Sequence, residues 1–544
     1  FLVLVLALSA FAACGETGTT PPPAEPGTTP GTPDPTTPAG PEAPEVSNIG
    51  PDGREFADEQ VYRSLYASEV TTMNYLSSGT TYELVVGANT IDSLVENDTY
   101  GNIIPCAAES WEESADGLTW TFKLRPGQYW KDADGNKMRE VTAHDYVAAA
   151  QYVCDSDMDC SNSYLLDGWI VNATELLEYT AAKIVAVEKG SETEDDDVIV
   201  DENGIYYIGY GWNGSTYDEW EEVPAVEFGE LGVVAVDDYT LEYHLCIPRP
   251  YFLTVLQFGT YWPAPAEKLA EYGKNYGLDN TKMWFNGAYI LSTFEPQQKR
   301  IYTRNEDNWD AEHVYIERIE ETYNTEASTL APELFLRGEV DGAGISSALI
   351  NDWLADPEKS QMVTTSRVIG DYSYFFGFNF EPKFDEIYNP GNWIKAVNNE
   401  NFRKAFFHGI DREKYVAARF PGDAPSMHII NTVTPKGFAT YDGKDYVNYG
   451  GLAKFATTDS FNETEALAYW DTAKAELEAV GIEWPIQIPI NYNPNYSDWG
   501  NACVVLEQQL EDLFGEEYID VIVVTFAGNS FLNETRRNGN YAIQ

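Results

Sequence analysis

The hydrophobic and polar positions divide the chain into an apolar leader, a tract with no core-forming pattern, and a body in which strand and helix periodicities alternate. Residues 1–13 read FLVLVLALSAFAA, the length of a secretory h-region and too short to span a bilayer. Residues 15–50 hold ten Pro, eight Thr and six Gly. That composition cannot offset chain entropy by burial, so an extended tether is predicted. The body begins at about residue 57. Trp120–Leu124 alternates at period two and predicts a half-buried strand, followed by a turn at Arg125-Pro126-Gly127 and a short apolar run to Lys131. Thr142, with Asp145 three residues on, predicts a capped helix start running to Tyr152. Further on, the pattern predicts a helix over 463–480 closed by Gly481. A strand Ile486–Tyr492 follows, whose Pro489 points to an edge or a bulge. A helix over 499–514 closed by Gly515 and a buried strand Ile519–Phe526 complete the unit. Strand, helix and strand predict a parallel pair with a right-handed crossover. Ligands of such sheets lie beyond the carboxyl ends of the strands, which points to Asn491, Tyr492 and Asn493.

At 544 residues the chain exceeds a single core, and two to four structural units are expected. The 33 basic and 88 acidic residues give a net charge of −55. Such a surface repels phosphate backbones and anionic lipid, which argues against nucleic-acid binding. Its plain reading is a solvated face, with a bias toward cationic ligands as the second reading. Of six cysteines, Cys14 belongs to the leader, which leaves an odd five. Cys154 and Cys160 are the one close pair, and they are expected to form a disulfide, which an exported chain permits. No CxxC, zinc spacing or HExxH occurs among the cysteines and five histidines, so no metal or cofactor is expected.

Three motifs are weaker than they look. Gly209–Gly214 matches GxGxxG without a following apolar helix. Asp155, Asp157 and Asp159 open like a calcium loop, but Cys160 and Leu166 occupy the positions that need Gly and Glu. Gly344–Ala348 lacks the last glycine of a nucleophile elbow.

The leader ends Phe11-Ala12-Ala13-Cys14-Gly15, which resembles the lipobox of bacterial lipoproteins, with Phe11 where Leu is usual. That resemblance implies a diacylglycerol on Cys14 and cleavage before it, and the Pro/Thr tract then reads as the tether of a membrane-anchored body. In the body, Ala108-Glu109-Ser110-Trp111, Asp116–Arg125 and Thr142-Ala143-His144-Asp145 follow one another in order. Val236–Glu242, Asn286-Gly287-Ala288-Tyr289, Arg304-Asn305 and Asn401–Ala405 with Gly409–Glu413 continue the series. Together they resemble the dipeptide/oligopeptide-binding family of extracellular solute-binding proteins of ABC transporters, over roughly residues 60–544.

The resemblance implies an α/β, two-lobe periplasmic-binding-protein-like fold (type II, large three-domain subclass) with mixed sheets and a hinge. It implies a monomer that captures a peptide and hands it to permease subunits, not an enzyme. The implied layout is a signal over 1–14 and a tether over 15–56. Segments 57–97 and 233–325 form one lobe, and 98–232 a second subdomain with an acidic insertion at about 175–232. Residues 326–544 form the other lobe, and the chain is expected to be a fragment at both ends. Ligand-binding positions implied by family place are Asn74, Tyr75, Tyr289, Asn379, Tyr492, Asn493 and Arg536, the last as a partner for ligand carboxylate. Two other readings stay open. One is an oligosaccharide binder of the same fold. The other is a secreted glycoside hydrolase, which needs two carboxylates about 5–10 Å apart.

Overall fold

The structure, a computed structural model, describes Gly53 and residues 55–544 apart from 99–100, 190–197, 211–216, 218, 365–372, 421–424, 426–428, 435–438, 457–458 and 527–530. Its principal elements through the first half are β1 (Val61–Tyr66), α1 (Thr81–Thr90), β2 (Ala108–Glu113), β3 (Thr119–Leu124), α2 (Ala143–Val153), α3 (Ala173–Lys189), β4 (Val198–Val200), β5 (Tyr206–Tyr210), β6 (Glu219–Val223), β7 (Val233–Asp237) and β8 (Thr240–His244). There follow β9 (Tyr289–Glu295), β10 (Lys299–Arg304), β11 (Arg318–Tyr323), α4 (Pro390–Asn398), α5 (Glu400–Gly409), α6 (Arg412–Arg419), α7 (Glu463–Ala479), β12 (Ile486–Tyr492), α8 (Ser497–Phe514) and β13 (Ile519–Thr525).

The alternation at 120–124 becomes β3, which buries Trp120, Phe122 and Leu124 and exposes Lys123. It lies inside an antiparallel sheet ordered β7-β8-β3-β2, and the Phe122 and Tyr243 rings meet edge to face at 6.0 Å. The expected cap of α2 is a full capping box. Asp145 accepts the Thr142 N–H at 2.9 Å, and also the Trp130 indole N–H and both Arg139 terminal nitrogens. One buried carboxylate thus fixes a helix start, a core indole and an arginine. A second sheet, ordered β1-β11-β10-β9, joins β1 to β11 in parallel from Val61 opposite Arg318 to Tyr66 opposite Tyr323. Residues of both sheets share one core with Tyr75, Trp130, Tyr146 and Phe285.

A separate core gathers Trp393, Phe402, Phe406, Trp470, Ile488, Phe514 and Val521, and the chain is a two-lobe α/β molecule. Helices α5 and α8 approach closely because Gly409 has no side chain: a Cβ there would stand 2.8 Å from the Phe514 ring. β12 and β13 form the expected parallel ladder, Ile486 opposite Ile519 through Tyr492 opposite Thr525. Gly481 and Gly515 close their helices at φ +70° and +93°, as the left-handed region favours glycine. Pro489 brings no bulge into that register. Its carbonyl accepts the Ala542 N–H at 2.9 Å on the other side of β12, where pairing is a short bridge rather than a ladder. A residue without an N–H is tolerated in such a place.

Over the region read as an insertion, α3 packs on an antiparallel sheet ordered β6-β5-β4 with a small core of Ala182, Val198 and Val223. The acidic run Glu192–Asp197 lies outside the described residues. Gly209 sits within strand β5 opposite Trp220 and not at a strand-to-helix turn. Asp155 accepts the Asp157 N–H in a short turn, and Asp157 pairs with Lys274 at 2.9 Å. Among the described residues no group of three or more His, Cys, Asp or Glu could hold a metal.

The expected Cys154–Cys160 disulfide is not formed, and the five described cysteines are free thiols. Cys154 caps the end of α2 and shares the first core with Cys160. Burial pushes the Cys160 thiol up to about 12 and that of Cys154 higher still, so both act as small apolar core groups.

Candidate functional site

Each parallel pair contributes one strand, β1 and β12, whose carboxyl end is followed by a segment that meets the other across the divide between the cores. On the first lobe, β1 leads into Ser68 and Glu69. The Glu69 carboxylate accepts the Val70 N–H at 3.0 Å, the Gln297 N–H at 2.7 Å, the Tyr66 hydroxyl at 2.9 Å and the Arg300 guanidinium. Burial raises the Glu69 carboxyl, but the Gln297 N–H and the guanidinium outweigh it and hold the group below the usual range. Arg300, 4% exposed, lies over the Tyr66 ring and also faces Glu321, whose carboxyl burial pushes up. One guanidinium between two carboxylates in a closely packed sheet pins the end of β1.

The loop after Glu69 is pinned a second time, by Glu83 in the first turn of α1. This carboxylate is 2% exposed and accepts the Thr71 and Thr72 N–H groups and the hydroxyls of Thr71, Ser78 and Thr80. Tyr82, beside it in the same turn, points its hydroxyl to the second lobe, where the Asn495 amide donates to it at 3.3 Å. Asn495 also donates to the Ser68 hydroxyl. A further crossing joins Arg537 Nη1 to Ser161 Oγ at 3.2 Å. The ring of Tyr496 is half exposed beside Tyr82, and burial together with that neighbour pushes its phenol up; Tyr374 and Arg419 stand near enough to act on it as well. The divide is thus lined by hydroxyls, carboxamides and tyrosine rings. Such a surface can hydrogen-bond an extended polar ligand and cover its apolar parts.

The positions implied by family resemblance fall into two groups. Asn74, Tyr75, Tyr289 and Asn379 are buried with internal partners. Asn74 donates to Tyr152 Oη at 3.0 Å and accepts the Leu76 N–H. Tyr75 donates to the Pro263 carbonyl at 2.6 Å and meets Tyr276 Oη at 3.1 Å. Tyr289 donates to the Ile316 carbonyl at 2.9 Å. Asn379 donates to the Gly539 and Tyr541 carbonyls, both at 2.9 Å, and accepts the Glu381 N–H. These four brace the walls. The other three differ: the Tyr492 ring, at the end of β12, lies against Gly500 of α8 beside the second core, Asn493 is buried as well and accepts the Asn495 N–H at 3.0 Å, and Arg536 is exposed in the turn that carries Arg537. Asn491 is buried and donates to the Asn540 carbonyl. Sequence reasoning stopped two residues short of Asn495, and it had no signal for Ser68, Tyr82 or Ser161, whose relation to the divide exists only in three dimensions. Cys14 lies outside the described residues. Among the described residues no helix is long and apolar enough to cross a membrane.

Comparison with known proteins agrees with this geometry. The model of the family described as Bacterial extracellular solute-binding proteins, family 5 Middle, matches residues 102–544. The oligopeptide-binding protein AliB of Streptococcus pneumoniae is 27% identical over 503 residues, 88% of this chain and 70% of its own length. Among solved structures, the substrate-binding domain of an oligopeptide ABC transporter from Bacillus anthracis superposes with a TM-score of 0.64 at 22% identity, covering 90% of this chain and 79% of that one. Listeria monocytogenes OppA bound to peptide does so with 0.65 at 20% identity, covering 90% and 81%. At those identities the structures speak for the fold, and the family match carries the assignment. This chain belongs to the bacterial extracellular solute-binding proteins of family 5.

Proposed function

We propose that the protein captures di- or oligopeptides outside the cell and delivers them to the permease of an ABC importer. The observation that carries this reading is the meeting of two parallel-strand carboxyl ends across a divide lined with hydroxyls and carboxamides. Those groups suit the repeating N–H and C=O of an extended peptide backbone, and relatives named for oligopeptide binding support it. Tyr492, Asn493 and Arg536 are its ligand-facing residues. Arg536 stands beside Arg537, which reaches the first lobe, and it receives ligand carboxylate. The leader and tether complete the reading: Cys14 carries lipid and holds the body at the outer face of the cytoplasmic membrane as a monomer.

Calorimetry with a panel of short peptides and a panel of cello-oligosaccharides tests the ligand class. We expect peptides to bind, to raise the melting temperature by mass action and to reduce the radius of gyration in small-angle scattering. If only the oligosaccharides do so, the peptide assignment fails. Arg536→Ala should weaken peptides with a free C-terminal carboxylate more than their amidated forms. Cys14→Ala should move the protein from the detergent phase to the aqueous phase, and equal partitioning would refute the anchor.

A further inference from the structure

Three side-chain hydrogen bonds between the segments that carry the two cores share one arrangement, in which a donor of the second lobe reaches an acceptor fixed in the first. Asn495 meets Ser68 and Tyr82, and Arg537 meets Ser161. Each acceptor is held in place. Ser68 adjoins Glu69 in its network with Arg300, and Tyr82 adjoins Glu83, whose carboxylate gathers the loop over 71–80. The Ser161 N–H and hydroxyl are both bonded to the Ser77 carbonyl, at 3.1 and 2.8 Å. The donors are held less tightly. Asn495 follows the end of β12, half-buried, and Arg537 extends from an exposed turn, steadied by Asn533 at 2.9 Å. The two buried hydrophobic clusters have no member in common.

We propose that Asn495 and Arg537 form a two-point polar clasp that holds the lobes closed and sets how long a ligand stays bound. Such a bond exchanges protein–water for protein–protein contacts, and its net effect on an equilibrium is about 2- to 10-fold. An apolar seam of similar extent would hold the lobes together far more strongly. A few polar bonds give a gap small enough for both arrangements to be populated. Because the two points engage different first-lobe segments, rotation about either one alone strains the other. The residence-time arm rests on the peptide reading, whereas the ligand-free arm stands apart from it.

Distance measurements between spin labels test the clasp in the full chain without ligand. The labels go on M138C and V480C in a C246S background, one on each lobe, at positions 43% and 59% exposed in the native chain. N495A and R537A should each move the distribution toward longer separations, with the open-to-closed ratio rising about 2- to 10-fold. S68A combined with Y82F should do the same from the first lobe, and adding N495A to that pair should change little more, since the same bonds are already gone. With a labelled peptide that binds the parent, dissociation should speed up in step while association stays near the parent rate. Circular dichroism and melting serve as the folding check. If N495A does not fold, Y82F, which removes a single hydroxyl, takes its place with the same expected direction. Unchanged distance distributions in folded N495A and S68A/Y82F would overturn the clasp. Failure of the parent to bind any peptide would count against the proposed function and leave the ligand-free distances to judge the clasp.

Discussion

Asp92 shows how far a single residue's environment can depart from what its type suggests. One carboxylate oxygen accepts the Asn308 amide at 2.8 Å and the Trp309 indole N–H at 3.0 Å. Burial nevertheless pushes the group up to about 7, with Glu96 and Asp310 adding repulsion. A carboxyl raised in the folded state favours folding while it is protonated. Its contribution is complete below the unfolded value of about 3.9 and is lost as pH rises toward 7. Asn keeps the oxygen acceptor and removes the charge, so Asp92→Asn should stabilise the protein above pH 7 by on the order of 2–4 kcal/mol. It should make little difference near pH 4. Urea unfolding of both forms across pH 4–9 checks this, and parallel pH profiles would refute it. Asn74 and Tyr75 teach the same lesson from the other side. Their residue types suit a ligand, but their donors are already taken by Tyr152 and Pro263, and no sequence pattern reports a filled hydrogen bond.

At the scale of elements, turns and closures follow from backbone chemistry, and their cost depends on what stands nearby. Gly277 and Gly127 both have positive φ, +72° and +81°. A Cβ on Gly277 would stand 2.6 Å from the Asn74 backbone nitrogen, whereas one on Gly127 would meet nothing within 4 Å. Gly127→Ala should therefore cost about 1 kcal/mol, the left-handed penalty alone. Gly277→Ala should cost roughly 2–4 kcal/mol, because the chain at Met73–Asn74 must move as well. Denaturant midpoints decide between them, and equal losses would show that crowding at Asn74 adds nothing. The helices closed by Gly481 and Gly515 and the capping box at Thr142 were legible because their signals are local. The sheet β6-β5-β4 was not, since its short polar and aromatic strands give no lasting alternation and it is stabilised by packing under α3.

At the scale of the whole molecule, the net charge of −55 opposes compaction in either lobe arrangement. Raising sodium chloride from about 10 to 150 mM shortens the screening length from about 30 to 8 Å. The melting temperature should rise, and a flat or falling response would show that local pairs such as Arg139 with Asp145 already neutralise the repulsion. The sequence by itself determined what depends on neighbours along the chain: the apolar leader and proline-rich tract, the alternation of β3, the capped start of α2, and the strand–helix–strand unit from Ile486 to Thr525. It also carried enough ordered motifs for family membership to be read. Only the tertiary structure decided which polar residues meet. Ser68 and Asn495, joined across the divide, are 427 positions apart in the chain. Whether an asparagine braces a wall or reaches over a cleft depends on which donors and acceptors the fold brings within about 3 Å of it, and periodicity and composition carry no record of that distance.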